Sequence, residues 1–289
     1  MKQNVGKCKK FCSLVVTFAV ILNTFVMCGY AYKKVGIMDL ATENNISSLT
    51  PYAQELELMD DGALDQAVTA MIMQTDNIEK LRDRLKECDI ELLPVKKMSV
   101  DASQNLISGA ELQRASYNLS DDEVELLVHV LKRGGQDYYH LCCGFLFDGT
   151  EADPATMDAV AMYFDPTKAD YYDYYDDSYG FSLRSGQQVY NGTIVFNFKD
   201  SYLNQYTGDP DYPYTCAVYV TPKAGAQNIA FGADYYHTYG ETNVDLTDVS
   251  VNVTFGGTGL ASGSVGTNFS VSHNEYTWQI ADLGVFMAT

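Results

Sequence analysis

Basic side chains are scarce in this sequence. Its 289 residues hold 19 lysines and arginines against 38 aspartates and glutamates, which gives a formal net charge of −19 at pH 7. Such a charge repels the phosphates of nucleic acids and the headgroups of anionic lipids. The composition therefore predicts a protein that does not bind nucleic acid. It suits a solvated extracellular surface, or one that attracts cations.

Recognisable catalytic motifs are also missing. The sequence has no GxSxG elbow, no HExxH helix, no P-loop and no dinucleotide fingerprint. Its four histidines are scattered: His129, His140, His237 and His273. Acidic residues are so numerous that a glycosidase-like carboxylate pair stays open, but that chemistry depends on separation in space rather than in sequence. We therefore expect a protein that is not an enzyme.

The N-terminus has the three parts of a secretory signal peptide. Lys7, Lys9 and Lys10 precede an apolar run over residues 11–27, and the small residues at 29 and 31 form a cleavage signal. This pattern predicts cleavage after Ala31 and a secreted or cell-surface protein. One alternative is an uncleaved anchor, because such a run could just span a bilayer. A lipid-modified Cys28 is disfavoured by the bulky Met27 before it.

Four cysteines follow the predicted signal, namely Cys88, Cys142, Cys143 and Cys216. An even number in a secreted chain indicates disulfides. Neighbouring residues on a strand point to opposite faces, so we expect one of Cys142 and Cys143 to pair with Cys88 and the other with Cys216. The alternatives are free buried thiols, or a zinc site that includes His140 and Cys142, although no CxxC motif supports zinc.

The hydrophobic pattern changes near Gly134. Before it, apolar residues recur at helical spacing over residues 64–72 and 78–88. A further helix is predicted over residues 120–133, because Ser120 and Glu123 can form a capping box and two basic residues precede the glycine. Residues 32–135 are therefore predicted to form a helical N-terminal region.

After residue 135 the pattern is that of short strands separated by Gly, Pro, Asn and Asp. The predicted strands are Tyr138–Phe147, Thr193–Phe198, Thr215–Thr221, Asn228–Phe231, Val249–Phe255, Asn268–Ser272 and Tyr276–Ala281. Such a series is typical of a sandwich or barrel. The predicted fold class is α+β, with the helical region followed by a mainly antiparallel β-sandwich over residues 136–289.

The segment ADYYDYYDDSYGF, residues 169–181, is rich in aspartate and tyrosine. As a strand it would present no apolar face, and Pro166 and Gly180 bracket it, so we predict a loop. Tyrosine offers partners a rigid face with a polar tip. The candidate binding residues are Tyr171, Tyr172, Tyr174 and Tyr175, with Tyr235 and Tyr236 from a second such segment. The alternative is a solvated loop whose tyrosines lie on the sheet.

The same segment suggests a cation site. Crowded carboxylates repel one another, and a hard cation such as Ca²⁺ relieves that repulsion through oxygen ligands. The candidate calcium ligands are Asp165, Asp170, Asp173, Asp176 and Asp177. Their spacing does not match an EF-hand loop.

An uncharged segment, residues 249–272, alternates apolar and polar residues around a Gly/Ser-rich connection. This alternation is typical of a membrane-inserting hairpin in a pore-forming protein. Each alternating run is shorter than a bilayer-crossing strand, and a half-buried hairpin explains the same pattern.

We therefore expect a secreted, non-catalytic interaction protein that binds another protein or a glycan, with calcium as a possible stabilising ion. The alternatives are a secreted membrane-active toxin, which would contact membranes, and a polysaccharide-binding or polysaccharide-active protein.

Overall fold

The computed structural model describes residues 53–98, 124–147, 158–176, 181–183, 192–198, 213–239, 250–252, 266–268 and 276–288. The predicted signal peptide and its cleavage site lie outside these residues, so secretion stays a prediction.

Three helices open the described part of the chain: α1 (Ala53–Leu58), α2 (Asp61–Gln74) and α3 (Ile78–Glu87). Asp60 begins α2 by accepting a hydrogen bond from the Ala63 amide at 2.8 Å, and Asn77 begins α3 by accepting one from the Lys80 amide at 3.0 Å. The helical spacing found in the sequence is confirmed here. No described helix has both the length and the apolar character needed to cross a membrane.

The strands follow in chain order. They are β1 (Ile90–Leu93), β2 (Val95–Lys97), β3 (Val124–Arg133), β4 (Tyr139–Phe147), β5 (Asp158–Phe164), β6 (Ala169–Asp176), β7 (Phe181–Leu183), β8 (Thr193–Phe198), β9 (Tyr214–Pro222), β10 (Asn228–Tyr239), β11 (Ser250–Asn252), β12 (Gly266–Asn268) and β13 (Tyr276–Met287).

These strands form two antiparallel sheets and one small pair. Sheet A has five strands in the order β1-β3-β4-β9-β6, and sheet B has six in the order β2-β13-β10-β5-β8-β7. Strands β11 and β12 pair with each other. Pro94 alone separates β1 from β2, so the chain passes directly from the edge of sheet A to the edge of sheet B. The predicted fold class, helices followed by a mainly antiparallel sandwich, is confirmed.

Sheet A lies between two cores. One core fills the space between the sheets and includes Cys143 and Phe145 of β4. The other lies between sheet A and the helices, and it includes Cys142 of β4 together with Leu64 and Val68 of α2. Because successive side chains of a strand point to opposite faces, β4 supplies both cores in alternation.

The predicted helix over residues 120–133 is wrong for its described part, because Val124–Arg133 forms strand β3. This strand pairs with β4 along its length and with β1 on its other side. Apolar residues on both faces of a central strand give a continuous run, which periodicity does not distinguish from a buried helix. Strands β1 and β2 also lie within the region predicted to be helical. The division into domains near residue 135 stays a prediction.

The predicted loop at residues 169–181 is also wrong for most of its length. Ala169–Asp176 forms strand β6, which pairs with β9 at the edge of sheet A. Residues 181–183 belong to β7, and residues 177–180 lie outside the described part of the chain.

Candidate functional site

The Asp/Tyr strand β6 is divided by a β-bulge between Tyr171 and Asp173. The extra residue brings Tyr171 and Tyr174, three positions apart, to the same side, where both pack against the core between the sheets. Tyr175 packs on the other side, against the helix-facing core. A regular strand would have placed a mixture of Tyr and Asp on each face. The bulge changes this arrangement and brings Tyr171 and Tyr174 onto one face.

Helix α2 begins directly over β6. A Cβ atom added to Gly62 would lie 2.1 Å from Cδ2 of Tyr175, so only glycine fits at this approach. The first turn of α2 therefore fixes the position of the tyrosine ring.

Tyr172 is the outermost tyrosine of the strand, with 56% of its surface exposed. Its ring stacks on the ring of Tyr138 with 4.4 Å between centroids and 18° between planes. The Tyr138 ring in turn lies 5.5 Å from that of His140 and 5.9 Å from that of Tyr219. We call Tyr138 and Tyr172 the aromatic platform. It is the solvent-facing end of an aromatic group that extends into the protein.

Asp61 holds the inner ring of the aromatic platform in place. The Tyr138 hydroxyl donates to Asp61 Oδ2 at 2.6 Å, and Gln136 Nε2 donates to Asp61 Oδ1 at 3.1 Å. Arg133 Nη1 lies 3.2 Å from Asp61 Oδ1. Burial, and then the hydrogen bond to Asp61, raise the pKa of the Tyr138 hydroxyl, so Tyr138 is a neutral donor.

A second carboxylate, Asp65, lies one helical turn further along α2 and is fully buried. Its Oδ1 is 2.6 Å from His140 Nδ1, and its Oδ2 accepts a hydrogen bond from the Tyr219 hydroxyl at 2.9 Å. His140 Nε2 lies 3.0 Å from Gln136 Oε1, so each ring nitrogen of His140 has an oxygen partner. Burial raises the pKa of Asp65, and the contact with His140 partly offsets the rise.

Sheet B contains a similar buried arrangement around Asp158. The hydroxyl of Tyr235 donates to Asp158 Oδ2 at 2.6 Å, and His237 Nδ1 lies 2.9 Å from the same oxygen. All three residues have no exposed surface. Aspartate and histidine in contact are found in catalytic sites, but neither of these two pairs has any exposed surface.

Tyr235 and Tyr236 require a correction. Both were candidate binding residues, but they are 0% and 5% exposed. The Tyr236 hydroxyl donates to Asp234 Oδ2 at 3.2 Å, and that of Tyr163 donates to Asp234 Oδ1 at the same distance. Tyrosine hydroxyls in this segment therefore satisfy buried carboxylates and are not presented to a partner.

Three of the five candidate calcium ligands have separate partners, and a fourth, Asp176, is the last residue of β6. Asp165 Oδ1 accepts hydrogen bonds from the amide and hydroxyl of Thr167, Asp170 lies 3.2 Å from Lys223, and Asp173 accepts from its own strand. Within the described part of the chain, no three His, Cys, Asp or Glu side chains are placed to hold a metal. Asp177 lies outside that part, and the calcium hypothesis stays a prediction.

The four candidate cysteines are all buried and all are free thiols in the structure, so the expected disulfides to Cys88 and Cys216 are not formed in it. Cys143 and Cys216 belong to the core between the sheets, whereas Cys142 and Cys88 belong to the helix-facing core. The expectation that Cys142 and Cys143 point to opposite faces is thus confirmed.

The uncharged segment at 249–272 is described at two short stretches. Residues 250–252 pair antiparallel with residues 266–268. The remainder lies outside the described residues, and the membrane-active alternative stays a prediction.

Asp61, Asp65 and Asp158 were not singled out in the sequence. A signal was present for two of them, because Asp61, Asp65 and Thr69 recur every fourth residue within a mostly apolar helix. Such a polar line on a helix that packs on a sheet indicates a buried hydrogen-bond network.

No known protein-family model matches the chain, and no curated protein matches it. Solved structures give partial matches. The sixth cohesin of scaffoldin B from Acetivibrio cellulolyticus, solved in complex with a dockerin, is 13% identical, over 33% of this chain and 74% of that one, with a TM-score of 0.24. A cohesin module of a Clostridium perfringens family 33 glycoside hydrolase is 11% identical, over 39% and 82%, with a TM-score of 0.27. A structure concerning adhesion by the Fap1 fimbriae of Streptococcus parasanguinis is 7% identical, over 55% and 78%, with a TM-score of 0.27. At these TM-scores the likeness carries no argument about function.

Proposed function

We propose that this protein is a secreted or cell-surface interaction module that binds a partner, another protein or a glycan, through its aromatic platform. The observation that carries this proposal is the exposure of Tyr172, whose ring stacks on a second tyrosine at the edge of sheet A. Exposed tyrosines on a rigid base are typical of recognition surfaces, since they give a large contact area at a low cost in conformational entropy.

The base of the platform supports this proposal because it is preorganised. Tyr138 is held by Asp61, and Arg133 joins Asp61 to the carbonyls of Leu56 and Met59 at 3.2 and 2.8 Å. A partner that contacts Tyr172 would therefore meet a surface already fixed in place, which reduces the entropy lost on binding.

The backbone edge of β6 is a less suitable contact. The bulge interrupts regular pairing along the strand, and Asp170 and Asp173 place exposed carboxylates beside it. Bulges and charges are the features by which proteins prevent strand addition at a sheet edge. Strand β6 therefore forms the edge of sheet A, and the side chain of Tyr172, not the backbone of the strand, is the contact for a partner.

The proposal is tested by measuring the binding of the full chain to glycan and protein arrays, followed by titration of each ligand found. Tyr172→Ala should weaken binding at least about tenfold, as expected for a central aromatic contact. The matched control is Met287→Ala, which removes another exposed apolar side chain, 62% exposed on β13 of sheet B. Equal affinities for Tyr172→Ala and the unchanged protein, for every ligand, would rule out the platform as the binding surface.

Secretion is tested separately by N-terminal sequencing of the protein from the medium of expressing cells. A chain that begins at Tyr32 is expected. A chain that stays in the membrane fraction with residues 1–31 intact would instead establish an anchored protein.

A further inference from the structure

We propose that Cys143 and Cys216 form a disulfide that joins β4 to β9 inside the sandwich, and that Cys88 and Cys142 stay outside this bond. Of the pairings that four cysteines allow, the register of sheet A favours this one, and it leaves the helix-facing core without a bridge.

The strand register places the two residues opposite each other. Cys143 and Cys216 are paired positions of the antiparallel β4–β9 ladder. Directly opposed residues of such a ladder have Cα atoms about 4.5 or 5.5 Å apart, and disulfides span Cα separations of about 4.4–6.8 Å. The Cα separation that this register implies therefore lies within the range that a disulfide spans.

The side chains point to the same place. Both residues have no exposed surface, and both belong to the core between the sheets. Burial, and then a hydrogen bond with the Cys143 thiol, raise the pKa of the Cys216 thiol well above its ordinary value, and both thiols are free in the structure.

The other two cysteines have different surroundings. Cys142 points into the helix-facing core, where its thiol lies 3.7 Å from the carbonyl oxygen of His140. Asp65 adds to the effect of burial in raising the pKa of that thiol. Cys142 is therefore separated from Cys216 by the thickness of sheet A.

Burial determines when the bond can form. A folded, reduced protein shields both thiols from any oxidant, so oxidation must occur while the sheet assembles. The oxidant is a disulfide-bearing molecule, such as oxidised glutathione or a thiol oxidoreductase. One protein thiolate attacks that disulfide and releases a thiol, and the second protein thiolate then displaces the other half. Two protein thiols are oxidised, one external disulfide is reduced to two thiols, and the two protons pass to the released thiolates.

The test refolds the denatured, reduced full chain in a glutathione redox buffer and then maps its peptides after blocking free thiols. We expect a linkage between the tryptic peptides that carry Cys143 and Cys216. Because Cys142 lies on the same peptide as Cys143, the assignment uses variants: the linkage should persist in Cys142→Ala and disappear in Cys143→Ala.

Thermal unfolding provides a second readout that is independent of the folding of any one variant, since each protein is compared with itself before and after reduction. Reduction should lower the melting temperature of the unchanged protein and of Cys142→Ala by about 10 °C. It should leave the melting temperatures of Cys143→Ala and Cys216→Ala unchanged. Adding oxidised glutathione to the folded, reduced protein should give no linkage. A bond from Cys216 to Cys142, a bond from Cys143 to Cys88, or the absence of any bond in the refolded unchanged protein would overturn the proposal.

Discussion

Asp65 and His140 form a contact of 2.6 Å between Oδ1 and Nδ1 at a depth where neither side chain has any exposed surface. The aspartate belongs to α2 and the histidine to β4, so the pair joins the helical layer to the middle of sheet A. A buried polar group is costly unless it has a hydrogen-bond partner, and each of these residues is a partner of the other.

Removing one member of this pair should destabilise the protein strongly. We expect Asp65→Ala to lower the free energy of unfolding by about 3–5 kcal/mol, because it leaves His140 and the Tyr219 hydroxyl buried without their acceptor. Urea denaturation measures this change. The control is Asp83→Ala, an exposed position on α3, which should change the free energy by less than about 0.5 kcal/mol. Similar values for the two variants would contradict a structural role for the pair.

Tyr235 should be required for stability although it is not required for binding. Tyr235→Phe removes the hydroxyl that donates to the buried Asp158, and we expect a loss of about 1–3 kcal/mol in the free energy of unfolding. Tyr172→Phe, at an exposed position, should change it by less than about 0.5 kcal/mol. The same denaturation experiment compares the two, and a larger effect at Tyr172 would show that their assignment to core and surface is wrong.

Gly144 of β4 should tolerate no side chain, because a Cβ atom there would lie 2.3 Å from Cγ2 of Thr69 on α2. We expect Gly144→Ala to cost about 1–3 kcal/mol of stability. Thr69→Ser removes that methyl group and keeps the hydroxyl that donates to the Asp65 carbonyl at 2.7 Å. The double variant should therefore be more stable than the sum of the two single effects implies. Additive effects in this cycle would exclude the steric conflict.

The protein should become less stable as the pH is lowered, because of His129. Burial, with smaller contributions from Lys97 and His140, lowers the pKa of His129 from 6.5 to about 3. The ring is then neutral in the folded state but binds a proton in the unfolded state below pH 6.5, so the unfolded state is favoured as pH falls from 6.5 towards 3. Between pH 7.5 and 5.5 the loss should be about 1.4 kcal/mol.

The contribution of His129 is obtained by comparison with His129→Leu across the same pH range. The raised pKa of Asp65 has the opposite effect on the pH dependence of stability, because the folded state binds this proton more tightly than the unfolded state. Asp65 is present in both proteins, so the comparison cancels its contribution as long as its pKa is the same in the variant. The difference in stability between the two proteins should therefore depend on pH. A constant difference would show that His129 titrates normally.

The sequence alone was sufficient to predict the helices and strands whose conformation follows from their own hydrophobic pattern. The predicted strand Thr193–Phe198 is β8, and the apolar spacing over residues 64–72 and 78–88 marks α2 and α3. It was not sufficient for β3, where local capping signals favoured a helix. Pairing with both β1 and β4 determines the conformation there, and a single sequence does not show that pairing.

The candidate site was predicted in part for a similar reason. The sequence pointed to the tyrosines of β6, and Tyr172 is the exposed one. Composition could not separate Tyr172 from Tyr235, because both occur beside aspartates in segments of similar appearance. The difference arises from burial, and the bulge at Tyr171 changes which residues share a face, an effect that alternation along the sequence does not reveal.

Because the side chains of β4 alternate between two cores, the length of this strand is restricted. Inserting one residue before His140 would exchange the two faces for all the residues that follow it. His140 and Cys142 would then point among the aromatic rings of the sandwich, and Cys143 and Phe145 would point towards α2. An insertion of two residues would preserve the faces. Natural insertions and deletions in β4 should therefore involve two residues at a time or lie at the strand ends. Whether the strand gains an odd or an even number of residues then matters as much as which side chains it carries.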